Sequence, residues 1–186
     1  MPFGTLWLPV IVSAVVVFFI SFVLHMVLKY HKADYQQLPG EDAIREAIGK
    51  VKPAPGLYVT PYCDDHKKMA EPAFQEKSIK GPVAMVVVGP NGPPKMGKQL
   101  VQWFFVALFI SFLSSYVVRH SGFETPSPRN AMRIVTAVAF GCYGVSHLID
   151  SVWMMRPWGN TVRAIFDAAI YSAATGATFY FLWPAK

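Results

Sequence analysis

Apolar residues run almost unbroken through residues 6–28, 99–118, 132–155 and 162–183, whereas polar residues dominate residues 29–98. At about 1.5 Å of helix rise per residue, each apolar run is long enough to cross a hydrocarbon core of about 30 Å. The pattern predicts an all-α membrane protein. It has four transmembrane helices and a small α+β cytoplasmic insertion between the first and the second. The first run has no basic residue before it and no small-residue cleavage site after it, and it ends in Lys29-Tyr30-His31-Lys32. An uncleaved anchor is the expectation, rather than a secretory leader.

Inside residues 29–98, residues 41–49 predict an amphipathic helix. Glu41 and Asp42 suit its positive N-terminal end, Ala43, Ile44, Ala47 and Ile48 share one face, and Gly49 ends it. Residues 56–62 and the β-branched run at 82–89 predict two strands. One helix and two strands enclose very little, so this insertion is expected to be stable only against the membrane domain or a partner.

Helical spacing assigns faces within the spans. Ser111, Ser114 and Ser115 share a face of the second, and Thr136, Phe140, Tyr143, His147 and Asp150 share a face of the third. The fourth has small residues at Ala169, Ala173 and Ala177 and also at Ser172 and Gly176, which allow close helix approach. Trp7, Trp103, Trp153, Trp158 and Trp183 fall near span ends, as an interfacial aromatic belt places them.

Composition agrees with the pattern. Of 186 residues, 53% are hydrophobic and 15% charged, against about a quarter charged in soluble domains. The net charge of +6 raises nucleic-acid binding as a class, but no arginine-rich helix or basic-aromatic stripe supports it. Excess Lys and Arg on cytoplasmic segments is the plainer source. Residues 29–98 and the hairpin residues Arg156 and Arg163 together carry 13 of the 17 Lys and Arg, which puts both segments in the cytoplasm and both termini outside. The two cysteines, Cys63 in a polar loop and Cys142 in an apolar run, imply no disulfide framework.

Two motifs imitate known sites. Cys63-Asp64-Asp65-His66 offers metal-type ligands within one turn, but no second Cys/His pair stands at zinc spacing. Gly92 to Lys98 matches the phosphate-loop spacing. Two prolines remove backbone donors there, however, and Gln99 replaces the hydroxyl the mechanism needs. The first reads as a solvated turn and the second as a turn feeding the membrane. No metal ligand set is assigned.

The remaining chemistry is intramembrane. In the predicted orientation His25, His147, Asp150 and Asp167 lie at similar depth in the inner leaflet, with Arg156 and Arg163 close by. Such residues are costly in lipid and usually face protein or water. In a structural reading, Asp150 and Asp167 join Arg156 or Arg163 in one hydrogen-bonded group that locks the hairpin, with His147 beside it. In a second, His147 and the two carboxylates carry protons or a cation. In a third, His25 and His147 ligate a haem or related pigment across two helices. No nucleophile–base–orienter triad can be assembled, so no catalytic residue is assigned and the chain is not expected to be an enzyme.

Trp153 with Arg156-Pro157-Trp158, Thr161, Asp167, Ile170-Tyr171 and the run Phe181 to Pro184 forms one distinctive set. His31, Asp34-Tyr35, Leu38-Pro39 and Glu41-Asp42 form another. Through these residues the sequence resembles an uncharacterised family of four-span bacterial membrane proteins with no assigned activity, a resemblance that extends over nearly the whole chain. The resemblance implies the bacterial inner membrane and supplies no site residues. The expectation is an accessory or scaffold protein packing against a larger membrane assembly or another copy of itself. A small proton or cation transporter, or a haem- or pigment-binding protein, is the alternative. The lipid bilayer is the one partner common to all these readings, and no cofactor is specified.

Overall fold

A computed structural model describes residues 3–93, 95–122 and 127–184. The elements in chain order are α1 (Trp7–Phe22), α2 (Glu41–Val51), β1 (Gly56–Thr60), α3 (Pro72–Lys80), β2 (Ala84–Val88), α4 (Met96–Arg119), α5 (Pro128–Trp153) and α6 (Trp158–Phe181). They form two compact units, Met1–Gln36 with Lys95–Lys186, and Gln37–Pro94.

In the first unit α1 packs on α4 and α6, and α5 packs on the same two helices, so the four close into a ring. Gly4–Val27, Met96–Arg119 and Pro128–Trp153 are long and apolar enough to cross a membrane. Only 22% to 33% of each apolar window is buried. Most of that apolar surface faces outward, unlike the one inward stripe of a soluble helix. Helix α6 has the length, 24 residues, but not the apolarity. Its polar and small positions Asp167, Ser172, Thr175 and Gly176 are instead buried.

Small residues bring the helices together. Ser111, Ser114 and Ser115 are all buried, and Ser13 meets Ser111 at 2.5 Å. The Ser114 and Ser115 hydroxyls also donate to carbonyls of their own helix, at Ile110 and Phe112. On α6 the inward stripe runs through Ala168, Ser172 and Gly176, while Ala169 and Ala173 point outward. One of the two small-residue stripes read from the sequence is therefore the packing face and the other is not. Ser127 caps α5 through the Asn130 N–H, and Pro128 occupies the first turn, where its missing donor costs nothing.

The second unit is the insertion. Its strands pair antiparallel from Gly56 opposite Val88 to Thr60 opposite Ala84. The first strand stops at Thr60 rather than residue 62 because Pro61 has no N–H to continue the ladder. Helix α2 passes through Gly49 and ends at Val51, where Lys52 takes the left-handed conformation and its N–H bonds the Ile48 carbonyl. Helix α3 was not expected. Pro72 at its first turn and Gly81 just past its end are the signals that could have found it. None of the described residues from 37 to 93 is buried.

Candidate functional site

The site is built where α1 ends. Residues Val23–Val27 widen into a π turn, and Leu28 breaks the helix with extended backbone. Short turns over Lys29–Asp34 then fold the chain back onto α6. This brings Tyr30, His31 and Asp34, more than a hundred residues away in sequence, against Asn160, Arg163 and Asp167.

Asp167 is the centre, at 4% exposure. Its Oδ1 accepts from the Tyr30 hydroxyl. Its Oδ2 lies 2.8 Å from His31 Nε2 and 3.7 Å from His25 Nε2. The two imidazoles stack, with ring centres 4.3 Å apart and planes 7° from parallel. His31 Nδ1 reaches Asp34 Oδ2 at 2.6 Å, and Arg163 Nε donates to Asp34 Oδ1 at 2.5 Å. Asn160 donates to the Asp34 carbonyl and accepts from Arg163. His25 Nδ1 is 3.0 Å from the Ser21 carbonyl, with the Tyr171 hydroxyl 3.5 Å from the same nitrogen. Asp167 and His31 are shielded, while about half of the His25 side chain is exposed at the protein surface.

Hydrogen-bond logic assigns the protons. A carbonyl or a carboxylate oxygen only accepts. His25 therefore donates from Nδ1 to Ser21, and His31 donates from Nδ1 to Asp34. Burial pushes the Tyr30 phenol up, and its bond to Asp167 adds to the effect, so it stays protonated as the donor. Burial works to raise the Asp34 carboxyl. The hydrogen bonds and positive charge of His31 and Arg163 outweigh it and hold that carboxyl below the usual carboxylate range.

The residues singled out from sequence fall into two groups rather than one. Arg163 is held by Asp34, and Asp167 by Tyr30 and His31. Asp150 lies 3.6 Å from Arg156 Nη1, and the same guanidinium donates to His147 Nδ1 at 2.7 Å. The expected single cluster of Asp150, Asp167 and an arginine is thus replaced by a hairpin group and a juxtamembrane group. The physical cause is competition: the returning turn brings Asp34 to Arg163, and a phenol and an imidazole to Asp167. The hairpin itself is joined by a hydroxyl pair, Ser151 with Thr161. His25 and His147, paired as ligands in the pigment reading, are bonded into different groups.

His25, His31 and Asp167 offer three ligand atoms all within 4.8 Å of one another. In the sequence, His31 is part of the basic end of the first run, Asp34 enters only through the family resemblance, and neither is assigned as a metal ligand. Cys63 and His66 do not join such a group among the described residues. Cys63 donates to the Asp65 carbonyl, and the Asp65 side chain caps the turn at Lys67. In the phosphate-loop match, Pro94 lies outside the described residues, and α4 starts at Met96. No protein-family model, curated protein or solved structure matches the chain.

Proposed function

We propose that the chain is a four-span protein of the bacterial inner membrane, both termini outside, acting as a non-enzymatic accessory or scaffold subunit. The observation that carries the scaffold role is the insertion's lack of any buried residue among those described from 37 to 93. Ile79, Val83 and Val87 stay exposed there, together with Leu57 and Tyr62. Both strands of a two-stranded sheet are also edges, open to pairing. A unit of this kind gains its apolar burial from a partner surface. A second membrane protein or a second copy of this chain fits that need.

The partner role is tested by purification in mild detergent. A single stoichiometric partner, or a defined homo-oligomer, is expected, and it should be lost in an Ile79→Lys, Val87→Lys variant. A monodisperse single chain in both preparations would sink the reading.

The fourth span is supported by the closed ring, in which α6 like each of the other helices packs on two neighbours, and by the inward direction of its buried polar residues. A helix of 24 residues measures about 36 Å, enough to cross. Orientation follows the Lys and Arg bias. In a Cys142→Ser background, a cysteine placed at Ser121 should react with a membrane-impermeant thiol reagent on intact cells, and Cys63 should react only after lysis. The reverse pattern inverts the topology, and labelling of both sites on intact cells removes it.

A further inference from the structure

We infer that His25, His31 and Asp167 form a binding site for a divalent first-row transition-metal ion, with Asp34, Tyr30 and the Ser21 carbonyl as its outer shell.

The three groups are chemically a metal set. Two imidazole nitrogens and one carboxylate oxygen suit zinc, ferrous iron and their neighbours, whereas magnesium and calcium take oxygen ligands. Ligand atoms about 2.0–2.1 Å from a tetrahedral ion stand about 3.4 Å apart. Here two of the separations are 2.8 and 3.7 Å, and all lie within 4.8 Å. Opening the shorter separation and closing the longer ones toward that spacing would seat an ion.

The outer shell is the stronger argument. Ligating histidines usually donate their other ring N–H to a carboxylate or backbone carbonyl, and ligating carboxylates are themselves hydrogen-bonded. Each of the three residues has such a partner. His31 Nδ1 donates to Asp34 and His25 Nδ1 to the Ser21 carbonyl, while Tyr30 donates to the Asp167 oxygen that faces away from the histidines. Both imidazoles thus have Nδ1 engaged by an outer acceptor and Nε2 turned to Asp167 Oδ2. An ion held by the two Nε2 atoms and Asp167 Oδ2 would take the place of the direct His31–Asp167 contact. The negative charges of Asp167 and Asp34 balance the ion.

Three protein ligands leave at least one coordination position open, the pattern of exchangeable rather than closed sites. His25 is half exposed, so the ligand set lies at the protein surface rather than deep in the helix ring. The juxtamembrane turn is joined to α6 through the same residues, and the ion would therefore fasten that turn to the helix ring.

The test uses the full-length chain, freed of any affinity tag, stripped with chelator in detergent and titrated with cobalt(II) as a spectroscopic probe for zinc. One cobalt per chain is expected, with the visible absorption of a low-coordinate nitrogen and oxygen site, bleached by zinc. His25→Ala with His31→Ala should abolish it. Asp34→Asn, which leaves all three ligands in place, should weaken affinity by about 10–100-fold. A Cys63→Ser, His66→Ala variant should bind as the parent does. Should the double histidine variant fail to fold, His25→Ala alone and Asp34→Asn carry the decision, since neither empties a buried position. The inference is overturned if the parent chain binds no cobalt, if binding survives loss of both histidines, if it is unchanged in both His25→Ala and Asp34→Asn, or if it disappears with Cys63 and His66.

Discussion

Asp167→Ala is expected to loosen the turn after α1 and lower stability by roughly 2–6 kcal/mol, because the Tyr30 hydroxyl and His31 Nε2 both lose their carboxylate partner at about 1–3 kcal/mol each. The Asp167 side chain is 6% exposed and that of His31 13%, so little solvent screening reduces the figure. The loss leaves the half-buried Tyr30 hydroxyl without its acceptor and His31 with an unpaired nitrogen, each costing up to roughly 1–3 kcal/mol on its own. In a thermal melt of the metal-free protein in detergent the midpoint should fall on the order of 10 °C. Limited trypsin treatment should cut at Lys29 and Lys32 in the variant well before the parent. Asp167→Asn is the informative companion. Its amide oxygen still accepts from Tyr30 and its amide group can donate to an imidazole Nε2, so it should lose only about 1 kcal/mol. An Asp167→Ala protein that melts and resists trypsin like the parent would show that the turn is held by something else.

The second large effect is expected where α5 and α6 meet. A Cβ at Gly176 would overlap Thr136 Oγ1 and stand 3.2 Å from the Met132 carbonyl oxygen. The threonine hydroxyl can rotate away, but the carbonyl belongs to the backbone of α5 and cannot. Gly176→Leu must therefore part the two helices, with an overpacking cost of about 1–3 kcal/mol or more. Gly141 is the control, with nothing within 4 Å of its Cβ position. Gly141→Leu should be neutral or slightly stabilising, because leucine is the better helix former by up to about 1 kcal/mol. Comparison of the two melting curves checks both statements, and equal stability would mean that the helices do not approach as closely as described.

Much of the first unit was legible because helical periodicity and lipid solvation act locally. Ser111, Ser114 and Ser115 stand at spacings of three and four, share one face wherever the helix lies, and are buried together. The fourth helix was equally legible as an element, and its buried Asp167, Ser172, Thr175 and Gly176 are what make it less apolar than the other three. The two small-residue stripes of α6 look alike in composition. Which of them faces α5 depends on the rotation of the helix, and that rotation is set by Gly176 against Thr136 and Gly144 against Ala168. Helix α3 was missed for a different reason: its sequence is polar, so its terminal Pro72 and Gly81 were its only signals.

By itself, then, the sequence determined what short-range physics can decide. It marked out the long apolar helices, the polar insertion between the first two, the positions of the turns and the uneven placement of Lys and Arg. Only the tertiary structure decided the pairing of charges. Asp167 and Arg163, one helical turn apart, read from sequence as mutual neighbours or as partners of Asp150. Tyr30, His31 and Asp34 displace that arrangement because the chain breaks at Leu28 and folds back onto α6. Hydrogen-bond partners are chosen by distance in space, and a contact spanning 136 residues between His31 and Asp167 leaves no periodicity along the chain from which to read it.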